Sequence, residues 1–391
     1  MPEDAATPTV TPTTSTTATD RPADLVEVVS GVDVIICCGS GGVGKTTTAA
    51  ALGREAARLG RSVVVVTIDP ARRLADALGL VDGLSSEPQR VPNAPGELWA
   101  MMLDADEMFR SVIAEHAGDA EQADRILANR FARSLSGSLS GTQEYMATEA
   151  LYRLHDDDRF DLVVVDTPPS RQALDFLEAP GVLTRFLDHR VFRLLMMPTR
   201  RGLKVINTAA QPVLRAIGRV VGSDVLADAV AFFQAFSGME AGFRDRARAV
   251  DELLRAPSTA FVLVASPRPD TVVEAVWFAE QLGRHRLAVA ATIINRAQPT
   301  FGPGTLADAC AGRDAAGDDM ALAAAWEQLI EARRTAEAEA AEIEPLLAVA
   351  PGAVSVTVPL MAGDVHDAAG LDAVGAALMG PTGMSADPVG R

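Results

Sequence analysis

The chain has 391 residues, of which 48% are hydrophobic and 22% are charged, a composition typical of a globular protein with a large core. Its formal net charge of −17 argues against nucleic acid as a partner, because a phosphate backbone requires a cationic surface. No apolar run approaches the roughly 18 to 20 residues of a membrane-spanning helix, so the sequence predicts no direct membrane span.

The N-terminal residues 1–24 are mostly Thr, Ala, Pro and acidic residues, which predicts a disordered tail. They contain neither the basic start nor the apolar stretch of a secretion signal, and we therefore expect a cytoplasmic protein. Residues 25–370 are predicted to form a single domain, and residues 371–391 a loose C-terminal tail.

The first predicted strand leads into a glycine-rich loop. Apolar residues 32–38 precede the sequence GSGGVGKT at residues 39–46, and an Ala-rich helix follows from Thr47 to Leu59. The loop matches the pattern G-x-x-x-x-G-K-[ST], whose backbone N–H groups surround phosphates, whose lysine reaches the outer phosphates and whose hydroxyl binds Mg²⁺. The following helix N-terminus completes an anion site. The predicted phosphate-binding residues are Gly41, Gly42, Val43, Gly44, Lys45, Thr46 and Thr47.

The lysine in this loop is unusual for the chain. Only two of the 35 basic residues are lysines, Lys45 and Lys204, and all the others are arginines. An ammonium is a compact point charge, whereas a guanidinium is a broad, flat fork. The choice of lysine at position 45 indicates a function that arginine cannot perform.

Further β-rich runs recur along the chain, with helical patterns between them. They lie at residues 62–68, 98–103, 162–165, 261–265, 287–294 and 354–358. This alternation predicts an α/β fold, a mainly parallel P-loop NTPase sheet flanked by helices.

Two intervals between predicted strands are too long for simple crossovers. Residues 104–160 and 170–258 are largely helical in pattern, which predicts an inserted helical subdomain above the C-terminal ends of the strands. A third segment, 300–350, begins as a Pro/Gly-rich loop and continues as an Ala- and acid-rich helix from Met320 to Leu347.

Two aspartates directly follow predicted strands. Asp69 follows the second strand and Asp166 follows residues 162–165. Asp166 has the position of an aspartate that holds Mg²⁺ directly or through water, and Asp69 is placed to orient or deprotonate an attacking water. Either carboxylate could instead cap a following helix. Since Cys37, Cys38 and Cys310 form no C-x-x-C pattern and the histidines are scattered, we expect no metal other than Mg²⁺.

Together these motifs resemble one family. The sequence GGVGKTT at 41–47, Asp-Pro-Ala from Asp69 and Asp-Thr-Pro-Pro from Asp166 are similar to the deviant Walker-A motifs of the ArsA-like ATPases, the anion-transporting and GET-pathway family. The likeness extends to residues 141–144, 266–274, 294–296 and 358–360, so it covers most of 32–366, and it is greatest to the actinobacterial ArsA-like ATPases.

The resemblance implies ATP and Mg²⁺ as cofactors and assigns roles to single residues. Lys45 and Thr46 would bind phosphate and Mg²⁺, with Lys45 also acting in catalysis. Asp69 would be the catalytic carboxylate of switch I and Asp166 the magnesium residue of switch II. Asn295 would recognise the adenine, and the loop after Pro359 would cover the base.

Three departures from the family bear on its partners. Ser40 stands where family members usually have a lysine that reaches across a dimer to the partner's ATP. Arg72 replaces the switch I histidine, and the cysteines that bind zinc or metalloids in relatives are absent. This pattern predicts a heteromer with a homologous ATPase subunit that keeps the lysine, with a homodimer as the alternative.

The helical subdomain raises the question of a client. Aromatic and methionine residues in it suit a groove for a hydrophobic client segment, but the same spacing is typical of a buried helix face. They are Phe186, Val191, Phe192, Leu194, Leu195, Met196, Met197, Phe232, Phe233, Phe236, Met239 and Phe243.

The leading prediction for function is an ATP-hydrolysing switch for targeting or chaperoning. The alternative is a weakly catalytic, nucleotide-binding regulatory subunit of a hetero-oligomer. A MinD- or ParA-like ATPase is less favoured because the C-terminus lacks a basic amphipathic helix, and a metalloid pump because soft metalloids require thiolates.

Overall fold

The computed structural model describes residues 24–69, 71–132, 141–189 and 223–380. Within them, eight strands form one sheet in the order β3-β4-β2-β5-β1-β6-β7-β8. The strands are β1 (Val34–Gly39), β2 (Val63–Thr67), β3 (Gln89–Arg90), β4 (Leu98–Met102), β5 (Leu162–Asp166), β6 (Thr259–Ala265), β7 (Val289–Ala297) and β8 (Val354–Pro359). All neighbouring pairs are parallel except the short edge pair β3–β4, as the alternating pattern predicts.

Helices cover the sheet and extend beyond it. Those of the first half are α1 (Leu25–Gly31), α2 (Lys45–Arg58), α3 (Arg73–Ala77), α4 (Ala105–His116), α5 (Ala120–Ala128), α6 (Thr142–His155) and α7 (Ser170–Asp188). Those of the second half are α8 (Ser223–Ala235), α9 (Glu240–Arg255), α10 (Pro269–Arg284), α11 (Leu306–Ala315), α12 (Met320–Val349) and α13 (Ala368–Met379). In the described residues, no helix combines the length and the hydrophobicity required to cross a membrane.

The central strands are apolar on both faces because helices cover both sides. Every residue of β1, β2 and β5 is buried, and their side chains divide between two hydrophobic clusters on opposite faces of the sheet. The register places Asp166 beside both Cys37 of β1 and Thr67 of β2. The C-terminal ends of these three strands therefore lie side by side, next to the loop that follows β1.

A third hydrophobic cluster lies among the helices and away from the sheet strands. It joins α4, α5, α6, α7, α8 and α9. The sequence alone did not decide whether the aromatic and methionine residues of this region form a core or a client groove. Five of them are buried in this cluster: Phe232, Phe233, Phe236, Met239 and Phe243. The buried-core interpretation therefore holds for these five. Residues 191–197 lie outside the described residues.

The prediction of a loose tail from residue 371 is wrong for its first part. Helix α13 runs from Ala368 to Met379, begins with an Asp367 side-chain cap, and buries Leu371, Val374 and Leu378. Their spacing of three and four residues places all three on one helix face, against α2 and β8. Helix α11 likewise occupies part of the predicted Pro/Gly-rich loop. Residues 1–23 and 381–391 lie outside the described residues.

Candidate phosphate-binding and metal site

The loop at residues 39–46 connects β1 to α2 and has the conformation that its glycines permit. Gly42 and Gly44 have φ of +79° and +96°. Gly44 is also the residue before α2, and a Cβ there would overlap the side-chain amide of Asn295. Val43 lies buried in a core cluster, whereas Gly41 and Gly42 are exposed. The loop is thus anchored at Val43 and presents its glycine backbone to the surface.

The Lys45 side chain lies across this loop. Its Nζ donates a hydrogen bond of 2.8 Å to the Ser40 carbonyl oxygen, and the residue is buried. Burial lowers the pKa of Lys45, and the nearby Asp166 charge opposes that shift. Folding thus places a desolvated ammonium beside the loop, where an anion would neutralise it.

The Asp166 carboxylate forms the centre of the predicted metal site. Its Oδ2 accepts hydrogen bonds from Thr46 Oγ1 at 2.8 Å and from Thr67 Oγ1 at 3.0 Å. Its Oδ1 is buried and has no hydrogen-bond partner among the described residues. Burial raises the pKa of Asp166 to about 6, although the bonds from both threonines and the charge of Lys45 oppose the shift.

These residues fit a magnesium ion. Mg²⁺ binds through one or two carboxylates, hydroxyl or phosphate oxygens and several waters rather than through an all-protein cage. The unpartnered Oδ1 of Asp166 and the adjacent Thr46 hydroxyl offer hard oxygen ligands of that kind. Elsewhere, the described ranges contain no group of three or more His, Cys, Asp or Glu side chains placed to hold a metal.

Sequence reasoning missed Thr67 as a site residue. It is the last residue of β2, it is buried, and its hydroxyl both donates to Asp166 and accepts from the Asp69 backbone N–H at 3.2 Å. The one available signal was a polar residue at the end of an otherwise all-valine strand. Only the register of β2 against β5 reveals the contact.

Asp69 lies two residues beyond β2, on the same edge of the sheet. Its Oδ1 accepts the Ala71 backbone N–H at 3.0 Å, and its Oδ2 is 3.3 Å from Arg73 Nη1. The backbone N–H of Ile68, the residue before Asp69, donates to the Asp166 carbonyl oxygen at 3.1 Å, and the Asp69 charge contributes to the raised pKa of Asp166. Asp69 is thus oriented by its own loop and remains partly accessible.

On the other side of the loop lie Asn295 and Pro359. The Asn295 Nδ2 donates to the Val43 carbonyl oxygen at 2.8 Å, and Arg296 Nη1 donates to the Gly42 carbonyl at 3.0 Å. Pro359 pairs in register with Ala297 of β7, so both predicted base-contacting residues lie in one corner. The Asn295 contact is with the loop itself, and its adenine role stays a prediction.

Two of the departures from the family pattern have clear surroundings. Ser40 is 3% exposed, and its hydroxyl is buried without a partner among the described residues. The Arg72 guanidinium donates to the Val81 carbonyl oxygen at 2.8 Å. Val81 follows α3 in the chain, whereas Arg72 precedes it. Neither side chain supplies a cation to the loop in this arrangement.

The fold and the site define a P-loop nucleotide-binding protein of the α/β class. The model of the family described as anion-transporting ATPase matches residues 32–311. That match covers most of the chain, and the chain belongs to the anion-transporting ATPase family. The resemblance derived from the motifs is thereby confirmed.

Curated relatives include two fungal proteins. The chain is 32% identical over 152 residues to the ATPase get3 of Aspergillus terreus, a match covering 38% of this chain and 43% of the relative. It is 33% identical over 177 residues to the ATPase GET3 of Malassezia globosa, covering 45% of this chain and 51% of the relative. The chain thus matches about half the length of these relatives.

Proposed function

We propose that the protein is an ATP-hydrolysing switch that requires Mg²⁺. One observation carries this proposal: Thr46 and Thr67 both donate to one oxygen of Asp166, which leaves the other oxygen buried and without a hydrogen-bond partner among the described residues. A buried carboxylate is costly unless it is paired or binds a cation, and this one adjoins a phosphate-binding loop.

The residues of the site divide the chemistry among them. The N–H groups of the loop and the N-terminus of α2 surround the phosphates, and Lys45 exchanges the Ser40 carbonyl for an outer phosphate oxygen. Thr46 and Asp166 would hold Mg²⁺, which would neutralise charge on the phosphate oxygens. Asp69 orients the water that attacks the terminal phosphorus, as the bond to the leaving diphosphate oxygen breaks.

Three single substitutions test this proposal. We expect Lys45→Ala to abolish binding of Mg-ATP, Asp166→Asn to lower the affinity for Mg²⁺, and Asp69→Asn to retain binding while lowering turnover. Calorimetric titration and a phosphate-release assay separate these three effects. An Asp69→Asn variant with wild-type turnover would remove that residue from the mechanism.

We further propose that the active form includes a homologous subunit that carries the lysine absent at Ser40. A cation supplied in trans changes the rate of related phosphoryl transfers by about 10³–10⁵. The purified chain alone should therefore turn over slowly, and addition of the partner recovered from native cells should accelerate it. Brisk, concentration-independent turnover by the isolated chain would contradict this proposal.

The same absence supports a second candidate, a weakly catalytic regulatory subunit. In that case the nucleotide at this site would support assembly while the partner performs hydrolysis. The two candidates differ in one measurement on the assembled complex. Lys45→Ala lowers turnover per complex if this site hydrolyses ATP, and lowers only the amount of complex if it does not.

A hydrophobic client segment is the third part of the proposal. Five of the aromatic and methionine residues are buried in the third cluster. Within the described part of the helical region, support for a client site comes from Val182 and Phe186, both exposed on α7 at a spacing of four residues. Helix α7 begins four residues after Asp166, so a nucleotide-dependent movement there would reach this face. Binding of an apolar helical peptide that does not depend on nucleotide would argue against a client role.

A further inference from the structure

The order of strands in the sheet indicates on which side of β1 the ribose and base of a bound nucleotide would lie. Asp166 ends β5 and Asp69 follows β2, and both strands lie on one side of β1. Strands β6, β7 and β8 lie on the other side, so β7 is about 10 Å and β8 about 14 Å from β1. If the terminal phosphates lie toward β5, as proposed above, the ribose and base extend over the C-terminal ends of β7 and β8.

The end of β7 and the loop that follows it have an unusual backbone. Among the described residues, four non-glycine residues have a positive φ, and two of them, Arg296 at +63° and Phe301 at +52°, lie within six residues of each other here. Side chains rarely adopt this conformation because the Cβ crowds the backbone, and such residues concentrate at ligand sites. The Phe301 side chain is nevertheless 50% exposed.

Helix α12 holds this loop in place. The Arg333 side chain, on a residue only 5% exposed, donates to the carbonyl oxygens of Thr300 at 3.3 Å, Pro303 at 2.8 Å and Thr305 at 2.5 Å. Glu339 of the same helix accepts the Gln298 backbone N–H at 2.6 Å. Arg333 thus binds carbonyl oxygens before and after Phe301. These hydrogen bonds fix the shape of the loop that contains this strained residue.

The loop is also connected to the phosphate-binding loop. Asn295 and Arg296 contact the Val43 and Gly42 carbonyls, and the Leu360 backbone N–H donates to the Ala297 carbonyl at 2.8 Å. Leu360 follows β8 and is likewise exposed. Two exposed apolar side chains thus lie on the loops that leave neighbouring strands, on the side of the site where the base extends.

We propose that the Phe301 ring forms one face of the nucleobase site, with the purine stacking on it. This inference rests on the proposed function, to which it adds a base-contacting residue that the sequence motifs did not indicate. Stacking on an aromatic ring accounts for both the exposure and the strain, because a ligand then covers a ring that the fold leaves in solvent. The loss of one such stack lowers affinity by about 5- to 100-fold.

Equilibrium binding of two ligands to the full chain tests the proposal. We expect Phe301→Ala to weaken Mg-ATP binding by about 5- to 100-fold and to leave binding of Mg-tripolyphosphate, which has no base, unchanged. Phe301→Trp should keep ATP affinity near wild type and report binding by a fluorescence change. Met320→Ala is the control. Met320 is an exposed apolar residue at the start of α12, about 20 Å along that helix from Arg333, which holds the loop of Phe301.

Phe301→Gly separates stacking from a structural role. Glycine accepts a positive φ without strain, so this variant should melt at the wild-type temperature or above it while losing the same ATP affinity as Phe301→Ala. Wild-type ATP affinity in Phe301→Ala, or equal losses for ATP and tripolyphosphate, would overturn the inference alone. Failure of the wild-type chain to bind either ligand would overturn the proposed function as well.

Discussion

At the residue scale, the Asp166 carboxylate accepts hydrogen bonds from two other segments of the site. Thr46 comes from the phosphate loop, Thr67 from β2 and Asp166 from β5, and the two hydroxyls meet at a single carboxylate oxygen. Because both hydrogens are directed at Oδ2, the orientation of the carboxylate is fixed and Oδ1 remains available. Thr67 would thus position the carboxylate that we propose as a Mg²⁺ ligand.

The first prediction concerns this positioning. Thr67→Val keeps the side-chain shape but removes the hydroxyl, and we expect the Mg²⁺ affinity of the ATP-bound protein to fall by about 10- to 100-fold. Calorimetric titration of Mg²⁺ measures the change. Thr292→Val is the matched control, because Thr292 is an equally buried strand threonine whose hydroxyl has no partner among the described residues. Equal effects of the two substitutions would refute the role of Thr67.

At the element scale, a buried charge joins three helices of the helical region. Glu149 of α6 is fully buried, and its Oε1 lies 3.1 Å from Arg153 Nε and 3.4 Å from Arg246 Nε of α9. Both arginines also pair with Glu115 of α4, at 2.6 Å and 2.9 Å. The network joins α6 to α4 and α9, three helices that also contribute side chains to the third cluster. It therefore sets how α6 packs against α4 and α9.

The second prediction follows from that burial. Glu149→Ala removes the buried carboxylate between two guanidinium groups, and we expect the free energy of unfolding to fall by about 2–3 kcal/mol, since both arginines keep Glu115 and some contact with water. Urea denaturation measures the change. Glu121→Ala, which breaks the exposed pair with Arg125, should change the free energy by less than about 1 kcal/mol. Similar losses for both would contradict this account.

The third prediction is the pH dependence of the contact between α2 and α13. Burial alone would raise the pKa of Asp372, but hydrogen bonds from Arg54 and Arg58 outweigh it and lower the pKa below its ordinary value. The stabilisation by Asp372 is therefore present above the unfolded pKa of about 4 and is lost as pH falls through the lower, folded value.

Asp372→Asn tests that dependence. We expect the substitution to cost about 0.5–1 kcal/mol at neutral pH, since the carboxylate is substantially exposed and water screens the pair. The difference in unfolding free energy between variant and wild type should shrink as the pH is lowered toward about 3. A difference that stays constant from pH 7 to pH 3 would show that the charge of Asp372 does not stabilise this contact.

At the scale of the whole molecule, the sheet and the helical region have separate hydrophobic clusters. Phe236 lies in the third cluster, 5.8 Å from the ring of Phe232 and 4.9 Å from that of Phe243. The fourth prediction is that Phe236→Ala lowers the melting temperature, with a loss of about 3–5 kcal/mol, while ATP affinity stays within a factor of two to three. Differential scanning calorimetry and ATP titration check these outcomes. An unchanged melting temperature would indicate a groove-lining residue instead of a core residue.

Much of this arrangement could be predicted from the sequence. The glycine loop, Lys45, Asp69 and Asp166 carry their signal in consecutive residues, because a phosphate site needs glycine backbone next to a strand end and a helix start. The seven parallel strands were predicted within a few residues because buried parallel strands are continuous apolar runs, whereas the two-residue edge strand β3 was not predicted. The tail prediction failed at Leu371, where a short helix buries only three large apolar side chains and begins beside the more polar segment 362–367.

The sequence by itself determined the class of fold, the phosphate loop and the family to which the chain belongs, because these depend on local patterns of glycine, lysine and apolar residues. The tertiary structure alone decided which side chains meet. The contact of Thr67 with Asp166 depends on the register of β2 against β5. The loop of Phe301 depends on an arginine 32 residues further along the chain, and the placement of Asn295 depends on a hydrogen bond to Val43, 252 residues earlier. Such contacts join distant segments, and no local pattern in the chain encodes them.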